Sequence, residues 1–372
     1  MIKAERGNVT MAGKEVRQMG AVDATTSVAL NGRIDLLANY EAVNNTAYDP
    51  ITRPTVAPYL YGNGPSKTST GTVTFGPGSI SRILPEWDST DKVIGTELSL
   101  RSQVNARGKM IHMDEGAMIH APSGLVKYET GVWDYVNSAT IPSSGFVRAG
   151  GQIYIAQDAM INVAGTTDAF SPLSNNILTV ALRSAELADS PLQRQGALRG
   201  PEITVDLRKT GTYNGRDWVG TPLADLRGYL NVIQRTVSEL TVAGGSVTLN
   251  SGGSVIVQPG ASIDASGGWL NYESGYVQTT RLLYNGQIVD IANATPDRLY
   301  DGIFKGEFTA THPRWNISNT YRIPWMNGEH FEQGYLQGAQ AGSLAMSGSS
   351  MALDGIIRAN AVSGLRQTNK PA

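Results

Sequence analysis

The chain has no cysteine among its 372 residues, so neither a disulfide nor a thiolate metal site can be part of its design. A cytosolic chain of this length usually keeps a few cysteines, and a small secreted domain uses them in pairs. Total absence suits a protein that crosses a narrow pore unfolded, where a disulfide would block passage. Charge is sparse as well: Asp, Glu, Lys and Arg make up 17% of the residues, with a formal net charge of −2 and a pI near 6.1. Without a basic excess or a basic block there is no electrostatic footprint for nucleic acid or an anionic membrane. No apolar run approaches the roughly 18 residues that a membrane-crossing helix needs. The opening MIKAERGNVT has no apolar signal-peptide core, so if the protein is secreted, the expectation is an internal segment carrying an added initiator Met.

What is abundant is turn-forming residues, with 42 glycines and 17 prolines. The stretch GGSVTLNSGGSVIVQPGASIDASGG, residues 244–268, holds three short alternating runs, each cut off by Gly, Asn, Ser or Pro. Alternation at period two reads as strand, and the turn-formers stop each strand after about four residues. The apolar centres Val247, Val255 and Ile263 recur every eight residues with no helix to serve as a crossover. That spacing predicts an all-β chain that turns corners and stacks its coils, a parallel β-solenoid.

The same register recurs. Residues 253–267, 151–165 and 109–121 align so that Val255, Ile153 and Ile111 coincide, then Val257, Ile155 and Met113. Ala261, Ala159 and Ala117 follow, then Ile263, Ile161 and Ile119, and last Ala265, Val163 and Ala121. The predicted inward stack is therefore Ile111, Ile119, Ile153, Ile155, Ile161, Val163, Val255, Val257 and Ile263. A weaker copy at 342–355 puts Leu344 and Met346 at the first two positions. The copies begin at 109, 151, 253 and 342, intervals too uneven for a fixed-period array, so one solenoid domain over 1–372 must carry insertions.

Three insertions are expected. Residues 43–69 are a proline-rich loop, because Pro50, Pro54 and Pro58 cannot donate to a central strand ladder. Residues 168–243 are irregular and contain an amphipathic helix at about 222–240. Thr221 is its N-cap, Pro222 its first position, and Leu223, Leu226, Leu230, Ile233, Val237 and Leu240 form one face packed on the solenoid flank. Residues 269–335 hold twelve of the chain's 27 aromatic residues and a hairpin turn at Tyr284-Asn285-Gly286-Gln287. Exposed, rings such as Tyr300, Trp315, Tyr321 and Trp325 would be platforms for sugar faces or protein partners; buried, they would make a satellite core.

Catalytic chemistry is hard to find. His112 and His120 lie at outward positions on successive strands, where their rings diverge and cannot converge on a metal. Glu86, Asp88 and Asp91 form the densest acidic group, but glycoside cleavage needs two carboxylates about 5–9 Å apart and nothing in the sequence fixes such a distance. No GxSxG, HExxH, P-loop or dinucleotide fingerprint is present. No cofactor, metal or catalytic residue is expected.

GGSVIVQPGASIDASGG, TSVALNGRIDLLANYEA, GTELSLRSQVNARG and SGFVRAGGQIYIAQDAMINVAG together with ELADSPLQRQGALRG, GRDWVGTPLADLRGYL and ATPDRLYDGIF resemble the filamentous-haemagglutinin-like large exoproteins of Gram-negative bacteria. The solenoid coils alone are shared by many β-helices; the stretches at 186–200, 215–230 and 294–304 are the distinctive part. The resemblance covers nearly the whole chain and implies a right-handed parallel β-helix exported by two-partner secretion. It further implies an outer-membrane pore protein as secretion partner and a cell-surface or extracellular role, commonly adhesion to a host glycan or protein receptor. It supplies no catalytic residues. The amino-terminal secretion domain and its NPNG-type and NPNL-type motifs are missing, so the match is to an interior or carboxy-terminal shaft segment. The leading expectation is a non-catalytic stiff scaffold that displays its insertions. The competing ones are a polysaccharide-active β-helix enzyme and a ligand-free fibre or spacer. The open ends of a stacked sheet also predict end-to-end self-association.

Overall fold

A computed structural model describes the chain apart from residues 39–41, 45–48, 50, 56–58, 62–70, 138–141, 149, 168, 184, 324–325, 327, 368–370 and 372. It describes the backbone alone at 42–44, 59–61, 132–137, 142–147 and 308. Most of the expected proline-rich loop and Trp325 thus lie outside the described residues.

Period-two alternation dictates the main architecture, which is all-β. Three parallel sheets carry 19 of the 39 strands among the described residues, and each runs through its strands in chain order. The first sheet is Asn8–Ala12, Arg33–Leu37, Gln103–Gly108, Leu125–Thr130, Ser246–Asn250 and Ser343–Ser347. The second is Glu15–Gln18, Thr72–Phe75, Met110–Met113, Gln152–Ile155, Ser254–Val257 and Ser350–Leu353. The third opens with Ile2–Ala4 and continues with Ala21–Thr26, Ile80–Pro85, Met118–His120, Met160–Asn162, Ser262–Asp264 and Ile356–Arg358. From residue 8 onward the chain visits the first, second and third sheets in the same order, six times over.

The in-register pairing sets like residues on like. Val16, Val73, Ile111, Ile153, Val255 and Met351 form one column, and Val22, Ser81, Ile119, Ile161, Ile263 and Ile357 another. All nine inward residues named from the sequence are at most 1% exposed, and they share one core. Burying side chains of this size contributes about 1.5–3 kcal/mol each relative to exposure. The outward positions are tied across passes by ion pairs, Arg82 with Asp23 at 2.9 Å and Arg107 with Glu129 at 2.6 Å.

The fourth copy sits in a different register from that expected. Leu344 and Met346 pair with Val247 and Leu249, and it is Met351 and Leu353 that stack on Val255 and Val257. The cause is the bend between second and third sheets. It takes four residues after Met113, Ile155 and Val257 but only two after Leu353. In the longer bends one residue is left-handed at the same place: Gly78, Gly116, Asp158 or Gly260, with φ of 62°, 69°, 58° and 85°.

The amphipathic helix over 222–240 is not there. The segment holds a 3-10 turn at Arg227–Val232, a strand at Gln234–Thr236 and a single helical turn at Val237–Leu240. Its apolar residues serve two different cores. Leu223 and Leu226 are buried with Leu282, Ile291 and Tyr300, whereas Val237 and Leu240 pack with Leu98. Gly228 and the β-branched Val232, Ile233 and Thr236 weaken a continuous helix. Thr236 then caps a fresh turn, accepting from the Glu239 N–H at 3.4 Å while its own N–H donates to the Glu239 carboxylate at 2.7 Å. Thr221 caps no helix; its hydroxyl donates to the Ile291 carbonyl at 2.7 Å.

The insertions at 168–243 and 269–335 build one body with its own core. Ile177–Ala181 pairs with Glu202–Asp206, and Arg281–Tyr284 lies between Gln287–Asp290 and Gly302–Phe304, all antiparallel. Residues from both insertions fill the shared core, among them Leu198, Ile203, Val205, Leu282 and Tyr300. The hairpin at Tyr284-Asn285-Gly286-Gln287 forms as expected, with φ of 49° and 77° at its two central residues. Ala169–Ser171, Trp269–Tyr272 and Tyr335–Gly338 make a small sheet where both insertions leave the parallel stack and the second returns to it.

Candidate functional site

The rings named from the sequence scatter. Tyr300 is 1% exposed, inside the insertion core, and its hydroxyl accepts from the Thr295 N–H at 2.8 Å. It is a core residue, not part of a partner surface: the ring is large enough to fill that core, and Thr295 satisfies its one polar atom. Trp315 and Tyr321 are exposed, at 66% and 53%. They belong to a two-stranded arm, Glu307–His312 paired with Ile317–Arg322. One side of the arm is a hydroxyl ladder, with Thr309 bonded to Thr320 at 3.0 Å and Ser318 to Thr311 at 3.2 Å. Ile317 and Tyr321 share the other side, as alternation on the strand requires. Tyr276 and Phe331 form a further exposed pair, edge to face at 5.5 Å.

Of the acidic candidates, Asp88 and Asp91 lie exposed, while Glu86 is engaged in structure. Glu86 accepts both Arg6 donors, at 2.8 and 2.6 Å, and the Thr25 hydroxyl at 3.0 Å. The Arg6 bonds hold its carboxyl below the usual glutamate range, the wrong direction for a proton donor. His112 faces Gln152 at 3.1 Å and lies edge-on to Tyr154. His120, on the neighbouring sheet, is held below the ordinary imidazole value by burial and then by Arg82. Among the described residues no group of three or more His, Asp and Glu is placed to hold a metal.

A recess of substantial size lies elsewhere, in the body made by the two insertions. It is a cleft of about 840 Å³ lined by Asp189, Tyr213, Arg216, Asp217, Trp218, Asp225, Arg227 and Asp297, with backbone and small residues between them. One wall is the hairpin Thr210–Tyr213 with Arg216–Val219. Its turn residues Asn214 and Gly215 are left-handed, at φ 49° and 77°, as a two-residue hairpin turn requires. Gly211 pairs with Trp218, and a Cβ on Gly211 would fall 2.6 Å from the indole, so glycine is what lets the ring lie against the strand.

The three distinctive stretches of the sequence meet here. The Ser190 hydroxyl donates to the Leu223 carbonyl at 2.6 Å, and the Gln193 amide bonds the Arg298 carbonyl, so 186–200 is fastened to both 215–230 and 294–304. The charged groups of the cleft are held in fixed pairs. Arg227 forks onto Asp225 at 2.6 and 2.8 Å, Arg216 bonds Asp189, and Thr212 donates to Asp217 at 2.8 Å. The Arg227 fork holds the Asp225 carboxyl down at about 2. The nearby Thr295 and Tyr213 hydroxyls keep Asp297 below its ordinary range, and Asp297 in turn raises the Tyr213 hydroxyl. Asp225 and Asp297 are therefore ionised acceptors at neutral pH. Sequence reasoning missed this cleft because its residues lie at three distant places and match no fixed-spacing motif; the distinctiveness of the three stretches was the available signal.

A second recess of about 620 Å³ lies beside Tyr272 and Tyr335, whose rings stack at 4.8 Å. Arg208 is among its lining residues, paired with Asp206 and Glu332 at 2.7 Å each. In comparisons with known proteins, no family model, curated protein or solved structure matches this chain.

Proposed function

We propose that the three parallel sheets are the walls of a right-handed parallel β-helix, and that the chain is a non-catalytic shaft segment of an adhesin-like exoprotein. The observation that carries this reading is the sheet order: six passes through three sheets, each strand beside its sequence neighbour in the stack. Such a ladder is stiff along its axis, because every inner strand is hydrogen-bonded on both sides. The insertions support a display role. They interrupt the stack only between third and first sheets or between first and second, and they carry the exposed arm and the large cleft away from the core. The resemblance to filamentous-haemagglutinin-like exoproteins and the absence of cysteine support export through an outer-membrane pore protein and a place at the cell surface.

Beads coated with the full chain, incubated with host epithelial cells, test the adhesive part. Adherence several-fold above beads coated with an unrelated β-solenoid of similar charge is expected. Equal adherence would overturn it.

A further inference from the structure

We propose that the cleft between the hairpin at 210–219 and the loops at 188–191, 222–227 and 296–297 is a binding site for an uncharged oligosaccharide. This deepens the adhesive reading, on which its biological use rests, by giving the displayed body a ligand class. The cavity and its chemistry carry the inference. At about 840 Å³ the cleft lies within the range of formed ligand sites, roughly 300–1,000 Å³, and is too large for a single sugar ring to fill.

Its lining combines two kinds of group. Trp218 and Tyr213 are half-buried rings on adjacent strands of one hairpin, flat apolar surfaces of the kind that take the C–H face of a pyranose. Around them stand Asp189 with Arg216 and Asp225 with Arg227, each pair setting an acceptor beside a donor, and the Asp297 carboxylate on the same lining as the Tyr213 hydroxyl. Vicinal sugar hydroxyls need that arrangement, because each donates one hydrogen bond and accepts others. The two Asp–Arg pairs are already bonded to each other, so little of their side-chain freedom remains to be lost on binding.

Charge narrows the ligand further. Four carboxylates face two guanidinium groups, which leaves the cleft net negative and unfavourable for sulfated, sialylated or uronate chains. Cleavage of a bound glycan is not part of the proposal. Glycosidases keep one carboxyl protonated, and Asp225 and Asp297 are both shifted toward the ionised form.

The test is a glycan array with the full chain, followed by calorimetric titration of the best ligand. Neutral oligosaccharides should be retained, with binding insensitive to chelator and to moderate salt. Trp218→Ala and Asp225→Ala should each weaken binding tenfold or more. Because Trp218 packs on Gly211 and its loss could disturb the hairpin, thermal melting of both variants is measured alongside. The exposed Asp225→Ala gives the decisive reading if Trp218→Ala melts early. A blank array, binding confined to anionic glycans, binding abolished by EDTA, or full binding by Asp225→Ala would each overturn the site. Bead adherence with a blank array removes the cleft and leaves the adhesive shaft. Glycan binding without bead adherence does the reverse.

Discussion

Tyr128 shows how much one polar atom matters inside a stack of apolar side chains. It lies in the column Met11, Leu36, Ala106, Tyr128, Leu249 and Met346, with small Ala106 next to it in the neighbouring pass. Its ring stacks on Phe75 of the second sheet at 5.6 Å, and its buried hydroxyl has no hydrogen-bond partner. A hydroxyl removed from water and left unpaired costs about 1–3 kcal/mol. Tyr128→Phe is therefore expected to raise the unfolding free energy by about 1 kcal/mol in denaturant melts, and a drop would show that the hydroxyl is bonded. Gln18 solves the same problem differently. It takes the column position of Phe75 and Met113, yet its amide donates to the Ile80 carbonyl at 3.1 Å and its carbonyl oxygen accepts from Ser81 at 3.4 Å. Columns of Val and Ile were legible in the sequence because alternation marks them. Gln18 and Ser81 were not, since a polar residue facing inward breaks the pattern and only its cross-pass partners explain it.

Among the elements, the bend between second and third sheets is the most regular, and it explains what the sequence revealed. No insertion interrupts it, and in four passes it has one length with a left-handed residue at one place. The recurring 109–121, 151–165 and 253–267 segments are this bend with its two flanking strands, which is why they aligned without a gap. The first-sheet strands lie outside the template because hairpins or long insertions often separate them from their neighbours. Gly260→Ala places a side chain at φ 85° and should cost about 1–2 kcal/mol. Asp158→Gly, at the equivalent place, should be neutral or stabilising by up to about 1 kcal/mol. Equal signs in paired thermal melts would mean that the bend does not set the backbone requirement. The expected helix at 222–240 failed for the opposite reason: spacing of 3 and 4 records that residues are buried, and here two cores claim them in turn.

At the scale of the molecule, three glutamates hold distant segments together through arginine. Glu86 joins Arg6, Glu129 joins Arg107 of the adjacent strand, and Glu332 joins Arg208 across the two insertions. The Arg6 hydrogen bonds lower Glu86 directly. At Glu129 and Glu332 burial pushes the carboxyl up, and the bonds from Lys127 and Arg107, and from Arg208, outweigh it. All three end below the usual glutamate value, near 4.3 when unfolded. Their contribution is thus complete above that pH and is lost as pH falls through the lower folded values. The melting temperature should be level from pH 7 to about 5 and fall below about 4.3. A melting temperature that rises on acidification through this window would contradict the pairing.

The order of the strands also bears on how such a chain is made. Each pass needs only the one before it, and each finished pass offers three open edges to the residues that follow. Folding can therefore propagate from one pass to the next along the stack. The body built by the insertions imposes a pause in that progress. Its core needs Leu198 and Leu223 from one side of the pass at 246–264 and Leu282 and Tyr300 from the other. The parallel stack must run on through a further pass before the cleft-bearing body can close.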